Sequence, residues 1–404
     1  MAIEDEFSDE NVRGYVKACF DIAESLVERS KKNNFNTLLI PSRGAVPFFI
    51  GSMYVLQCLS NDYEDHHELL GRINIPKLIR EYVLPADVVP VVESDKKKVN
   101  ILLCPFTADI NMQPFAQDAG LEEKISVDEF VNDSRRYWTK VVHALAEGKK
   151  GRAKDPYLQF YLYLLKNVEN RFELACEYEN AERVDGMVMI DTVISGRAST
   201  TILDGFKEEK ILPYSLLVID NNGKNLKEPY SAKIRTGESC GNIKRIYVPR
   251  IFTEDRGASL EGVVGIVYPS LIFYANGIEL KKEPFFPVGA GSWYHLPKND
   301  LHEKAFKTFC EMLKSAINIE CSDYSECLDK SNEEKKMAES RKKLIDILKS
   351  NKLLVSNHTP AFLKLRLPVQ RIYETSSHVV HICFSQEISR NVVNEFKRKF
   401  EQDR

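Results

Sequence analysis

The segment at residues 184–204 constrains the fold of this chain more than any other. Residues 187–190 form an apolar run without alternation, which is typical of a central strand in a parallel sheet. Asp191 follows this run, then a loop of small hydroxyl residues and glycine, and a helical pattern begins at Ile202. This order predicts a sugar-phosphate site, because amides at a helix start attract phosphate and a carboxylate accepts hydrogen bonds from ribose hydroxyls. The alternative is an ordinary strand–loop–helix connection with a serine cap.

A second segment, at residues 36–49, has a similar organisation. Residues 38–40 predict another short buried strand, and Ser42, Arg43 and Gly44 then turn the chain into an apolar helix. The guanidinium of Arg43 can bind two oxygens of a phosphate group at once. Gly44 lets backbone amides come close to an anion. The segment is therefore a candidate pyrophosphate loop.

Together the two segments resemble the phosphoribosyl-diphosphate (PRPP) motif and the pyrophosphate loop of type I phosphoribosyltransferases, in the order that this family has them. In the family, the motif strand ends in two acidic residues, followed by two apolar residues and a loop rich in threonine and glycine. Asp191 matches the first acidic position, and Thr192 replaces the second. In the pyrophosphate loop, Ala45 replaces a second glycine.

The resemblance implies an enzyme that binds PRPP and Mg²⁺ and transfers phosphoribose to a nitrogenous acceptor with release of pyrophosphate. Asp191 and Thr192 would be the catalytic pair that holds the ribose hydroxyls, and Mg²⁺ would be coordinated mainly through the ligand. The substrate-binding residues would be Ser42, Arg43 and Gly44 for pyrophosphate, and Ser195, Gly196, Arg197, Ala198, Ser199 and Thr200 for the 5′-phosphate. We expect the Asp191 carboxylate to face an accessible cleft.

Two other functions stay open at this point. Thr192 and the long stretches between motifs also suit a weakly catalytic module of the same fold that senses PRPP or a nucleotide and regulates another process. The third possibility is a related enzyme that cleaves an N-glycosidic bond. PRPP turnover with a panel of bases distinguishes the first two hypotheses.

Composition narrows the class of protein further. The chain has 404 residues and a net charge of -3, so it lacks the strongly basic composition of many nucleic-acid-binding proteins. It has no apolar run of membrane-spanning length, and its first residues are acidic, unlike a signal peptide. Its nine cysteines include no CxxC pair, which favours reduced thiols. We therefore expect a cytoplasmic protein.

The expected fold class is α/β: a parallel doubly wound sheet of the type I phosphoribosyltransferase kind, with long helical inserts and a small C-terminal α+β unit. The phosphoribosyltransferase-like domain would occupy residues 1–298, with inserts at about 61–98 and 107–182, and the C-terminal unit residues 299–404. Predicted core strands lie at residues 37–40, 99–104, 187–190, 214–219, 243–248 and 263–267. The two motif strands must be parallel neighbours, or nearly so, if one ligand contacts both loops.

Three further segments carry charge or metal-ligating residue types. Residues 62–68 include two adjacent histidines, which are more typical of a polar surface loop than of a metal site. Arg250 and residues 254–256 follow a predicted strand, where they could contact the ligand or form surface charge pairs. The basic residues of a predicted helix at 333–350 could contact nucleic acid or a protein, although a solvated helix face is the usual meaning of such a run. Oligomerisation is left open.

The Arg43 assignment makes a specific prediction. Arg43→Ala should lose a charge-assisted contact worth about 1.5–3 kcal/mol for PRPP or pyrophosphate. The loss should be much smaller for ribose 5-phosphate, which lacks the group that Arg43 is proposed to hold. Calorimetric titration of both ligands checks this difference, and equal losses for the two ligands would refute the assignment.

Overall fold

The computed structural model describes residues 3–33, 35–42, 44–75, 98–103, 186–208, 213–253, 260, 263–264, 285–289, 292–295, 300–323, 328–350, 372–374 and 380–382. These residues form a mixed α/β structure around a parallel sheet. Its strands are β1 Thr37–Ile40, β2 Ile73–Asn74, β3 Val99–Leu103, β4 Met187–Val193, β5 Tyr214–Ile219 and β6 Ile243–Tyr247. The helices are α1 Ile3–Glu6, α2 Asp9–Asn33, α3 Ala45–Leu59, α4 Glu64–Arg72, α5 Arg197–Glu208, α6 Tyr230–Ser239, α7 Asp300–Cys321 and α8 Lys330–Ser350.

All six strands of the sheet run parallel, in the order β2-β3-β1-β4-β5-β6. Two antiparallel pairs lie outside it, β7 Phe285–Gly289 with β8 Ser292–His295 and β9 Ile372–Glu374 with β10 Val380–Ile382. Strand β4 is buried along its whole length, which explains why its residues read as a continuous apolar run rather than an alternating one. The sheet therefore needs cover on both faces.

Alternation along β4 assigns its side chains to the two faces of the sheet. Val188 and Ile190 belong to the large core that includes residues of α2, α3, α7 and α8. Met187 and Met189 are equally buried but point the opposite way, because successive side chains of a strand alternate. On that second face, α5 packs against β4 and α6 packs against β6. The described part of the chain thus has helices on both sides of the sheet.

Helix α3 contacts α2, α4 and α7, and it belongs to the large core on the face of the sheet that carries Val188 and Ile190. It is apolar on all sides, and most of its residues are buried, as expected for a helix enclosed by other elements. A Cβ built on Gly51 of α3 would lie 2.4 Å from Cys19 Sγ of α2 and 3.2 Å from Leu313 Cδ2 of α7. This glycine therefore lets three helices approach one another closely.

Helix α7 is part of the same core. The ring of Phe309 packs edge-on against Tyr15 of α2 and Phe252 beyond β6, with both centroid distances 5.9 Å. Tyr15 in turn stacks on Phe48 of α3 at 3.8 Å. Helix α7, which follows the predicted domain boundary at residues 298 and 299, therefore packs against helices that precede it in the chain. The predicted helix at 333–350 agrees with α8.

The predicted polar loop at residues 62–68 is wrong. Most of this segment belongs to helix α4, whose Leu69 and Leu70 are buried in the large core. His66 is also buried, and its Nε2 lies 3.0 Å from Glu24 Oε1 of α2. The apolar face of a short amphipathic helix at the boundary of the predicted insert was not recognised. The insert also contributes β2, which extends the sheet beyond β3.

Most of the other strand predictions agree with the structure. Strands β1 and β5 have the predicted bounds, and β3, β4 and β6 differ by one to three residues. The strand predicted at 263–267 is wrong where it can be compared, because Val263 and Val264 are helical and the Val264 amide donates to the Leu260 carbonyl at 2.9 Å. Residues 265–267 and the whole predicted insert at 107–182 lie outside the described residues. Every helix in the described ranges is too short or too polar to span a bilayer.

The aromatic contacts of α7 predict a single cooperative unit. Phe309→Ala should lower the free energy of unfolding by about 3–5 kcal/mol, because it leaves a cavity between α2, α7 and the segment after β6. Lys304→Ala, on the exposed side of α7, is the matched control and should change stability by less than about 0.5 kcal/mol. Urea unfolding followed by circular dichroism measures both. An independent C-terminal unit would instead give two transitions, of which only one moves.

Candidate functional site

Strands β1 and β4 are the point at which the chain reverses its direction through the sheet. After β1 the chain goes to β2 and β3 on one side, whereas after β4 it continues to β5 and β6 on the other. In open parallel sheets, ligands bind in the crevice outside the carboxyl ends of such a pair. Both candidate loops follow these two strands. The prediction that the motif strands are parallel neighbours is confirmed, with Leu38 paired to Val188.

The loop after β1 is also linked directly to the end of β4. The Oγ atom of Ser42 and the Oγ1 atom of Thr192 are 3.1 Å apart, and both residues are buried. Thr253, beyond β6, donates from Oγ1 to the carbonyl of Gly44 at 3.3 Å. These two hydrogen bonds bring together four residues at the carboxyl ends of the parallel strands: Ser42, Gly44, Thr192 and Thr253. Arg43, the predicted pyrophosphate ligand, lies outside the described residues.

Asp191 has a different position from the one expected. Its residue exposure is 1%, so the predicted accessible carboxylate is wrong. Oδ1 accepts a hydrogen bond from the Thr192 amide at 2.9 Å, and Oδ2 accepts one from Ser199 Oγ at 2.5 Å. Because Asp191 and Thr192 are consecutive in a strand, Asp191 points to the α5 face and Thr192 to the opposite face, where Ser42 lies. The carboxylate thereby ties β4 to the first turn of α5.

The predicted phosphate loop at residues 195–200 divides into a bend and a helix start. Ser195 and Gly196 form the bend, and α5 begins at Arg197, five residues before Ile202, where the helical pattern begins in the sequence. Gly196 has a φ of +89°, and a Cβ there would lie 2.9 Å from Tyr230 Cβ of α6. Glycine is therefore required both by conformation and by space.

The first turn of α5 presents the features of an anion site. Amides in the first turn of a helix have no acceptor within the helix. Ser195 Oγ lies 3.5 Å from the Arg197 amide, and Thr200 donates from its amide and its hydroxyl to the Gly196 carbonyl, at 3.1 and 2.8 Å. Ala198 is half-buried, whereas Ser199 is buried against Asp191. The six predicted residues thus lie together, but with unequal access.

The segment after β5 completes the edge and was not predicted to belong to the site. The Lys227 amide donates to the Ser195 carbonyl at 3.1 Å. The buried Asp220 accepts from the Ile251 amide at 2.8 Å and from Asn225 Nδ2 at 3.2 Å. The signal in the sequence was an acidic residue directly after an apolar strand and before Asn-Asn-Gly.

Arg250 does not form the exposed charge pair that was one of its expected roles. Its Nε lies 3.8 Å from Glu6 Oε1 of α1, and both side chains are largely buried. Residues 254–256, which were considered with it, lie outside the described residues. The ion pair joins the segment after β6 to the N-terminal helices.

The residues near Asp191 do not fit a direct Mg²⁺ site. Among the described residues, no group of three or more His, Cys, Asp or Glu side chains could hold a metal ion. Asp191 already accepts from Ser199 and Thr192, and its other near neighbours supply hydroxyls.

Comparison with known protein families, curated proteins and solved structures finds no match to this chain.

The position of Asp191 predicts a structural role that can be measured. Asp191→Ala should lower the free energy of unfolding by about 3 kcal/mol, because it leaves the buried Ser199 hydroxyl and Thr192 amide without this acceptor. Ser199→Ala removes only one of the two hydrogen bonds and should cost about half as much. A double-mutant cycle by urea unfolding should give a coupling of about 1.5–3 kcal/mol between them. Additive effects would contradict the proposed link between β4 and α5.

Proposed function

We propose that this protein binds a phosphorylated ribose, PRPP or a nucleotide, at the carboxyl edge of β1 and β4. The activity best suited to such a ligand is transfer of phosphoribose to a nitrogenous acceptor with release of pyrophosphate. The observation that carries the proposal is the placement of both candidate loops at the reversal point of a parallel sheet, with Ser42 and Thr192 3.1 Å apart. Ligands of parallel α/β proteins bind at such points.

In this proposal the first turn of α5 binds the 5′-phosphate. The amides of residues 198 and 199 lie in the first turn of a 12-residue helix, where the helix dipole favours an anion. Ser195 adds a half-buried hydroxyl at the same end. Asp191 acts as a positioning residue, because its bond to Ser199 holds this turn against β4.

The diphosphate of PRPP would extend toward the loop after β1. Ser42 and Thr192 bring hydroxyls to this side, and Arg43 supplies the positive charge expected from the sequence. Mg²⁺ would then arrive with the diphosphate, because this ion usually binds substrate phosphates and few protein ligands. Holding both phosphate groups would fix the ribose between them, and such positioning is a large part of catalysis in group transfer.

A second candidate is a protein that binds the same ligand without turning it over. It is favoured by the buried Asp191, whose oxygens are engaged within the protein, and by Thr192 in place of a second carboxylate. Incubation with PRPP, Mg²⁺ and a panel of nitrogenous bases separates the two. Release of pyrophosphate that depends on the base supports the transferase, whereas saturable binding without release supports the sensor.

The helix-start site predicts a charge-specific effect at Ala198. Ala198→Glu should leave the fold intact or stabilise it by about 0.3–1 kcal/mol, because a negative charge favours the start of a helix. The same charge should weaken binding of PRPP and ribose 5-phosphate by about tenfold or more, through repulsion of about 1–4 kcal/mol at contact distance. Calorimetric titration measures the affinities, and thermal unfolding measures stability.

Ala198→Gln is the matched control for size. It should retain much more affinity than the glutamate variant, and the difference should shrink at high salt because charge repulsion is screened. If the two variants bind alike, or if the wild-type protein binds none of these ligands, the phosphate site is not at α5.

A further inference from the structure

We infer that Asn221 and Asn222, in the turn after β5, contact the nucleobase of the ligand and contribute to its selection. This inference rests on the proposed function, since it places a base next to a ribose phosphate bound at α5. It concerns a segment to which the sequence assigned no role. The chemical class that the turn would recognise is a planar nitrogenous heterocycle.

The two asparagines have an uncommon backbone conformation. Asn221 has φ 48° and ψ 40°, and Asn222 has φ 49° and ψ 32°, so both are left-handed. Non-glycine residues rarely adopt this region, and asparagine does so most readily when its side chain hydrogen-bonds locally. Within the part of the chain that the structure describes, neither side-chain amide makes a hydrogen bond to another residue. Both residues therefore keep the left-handed conformation without a side-chain hydrogen bond, and their side-chain amides are available to a ligand.

The turn is held firmly from both sides. The backbone N–H of Asn222 donates to the Val248 carbonyl at 2.9 Å, which fixes the turn to the end of β6. Asp220, directly before the turn, accepts from the Ile251 amide at 2.8 Å. Gly223, directly after it, has a φ of +84° and continues the left-handed course. A turn fixed in this way presents its side chains with little further loss of entropy on binding.

Strand register places the turn beside the proposed phosphate site. Val193 at the end of β4 pairs with Ile219 at the end of β5, so the residues that follow leave the sheet at the same level. The chain then returns to this edge, where the Lys227 amide bonds to the Ser195 carbonyl at 3.1 Å. Asn221 is half-buried and Asn222 is exposed, so the turn is accessible to a ligand.

An asparagine side chain suits the edge of a nucleobase. It offers two donors and one acceptor in a plane, and it can pair with adjacent donor and acceptor atoms of a heterocycle. Glycine would be the better residue for a turn with this backbone. Asparagine also tolerates this backbone, and unlike glycine it presents an amide group that can contact a ligand.

Asn221→Gly, Asn222→Gly and the double variant test this inference. Glycine adopts the left-handed conformation without strain, so the melting temperature should stay the same or rise. Calorimetry compares ribose 5-phosphate with the ribonucleoside 5′-monophosphates. The wild-type protein should bind at least one nucleotide more tightly than ribose 5-phosphate. Each single variant should lose about threefold to tenfold of that nucleotide's affinity and keep its affinity for ribose 5-phosphate.

Asn242→Gly is the control at the opposite edge of the sheet, directly before β6, and should leave both affinities unchanged. If the turn variants bind nucleotides as the wild-type protein does, or if the base adds no affinity in the wild type, the inference is overturned and the proposed function stands. If the wild-type protein binds neither ribose 5-phosphate nor a nucleotide, the proposed function fails and this inference fails with it.

Discussion

The end of β4 depends on two consecutive side chains that point in opposite directions. Asp191 accepts a hydrogen bond from the Ser199 hydroxyl at 2.5 Å, which fixes the start of α5. The hydroxyls of Thr192 and Ser42 are hydrogen-bonded at 3.1 Å, which fixes the loop after β1. The alternation of a strand makes both contacts possible from neighbouring residues. Without them, the two loops that the proposal brings to one ligand would lack their direct connection through β4.

The structure gives Asp191 a role that differs from the one predicted from the sequence. A carboxylate after a buried strand resembled a ribose ligand, but its burial and its hydrogen bonds make it a support for the helix start. The chemistry of the proposed site then falls to backbone amides and hydroxyls, with the positive charge of Arg43 expected from the sequence. Such a site suits an anionic ligand, since amides at a helix start favour negative charge.

The sequence predicted the parallel sheet well, because an unbroken apolar run such as residues 187–190 leaves few alternatives to a buried strand. It failed where tertiary context decides. Helix α4 was taken for a loop because its charged residues obscured Leu69 and Leu70, and the two-residue β2 is too short to give a pattern. The roles of Asp220 and Thr253 arise from contacts between loops distant in sequence, which local patterns do not contain.

Amide hydrogen exchange with and without PRPP and Mg²⁺ tests the central claim most directly, because it reports where on the chain a ligand binds. The account predicts that protection increases in two separate peptides, one covering the Ser42 loop and the start of α3, the other covering residues 195–202. Asn242 and the other residues at the amino edge of the sheet should exchange at unchanged rates. Protection confined to other regions, or no protection at saturating PRPP, would contradict a phosphoribose site at the edge of β1 and β4.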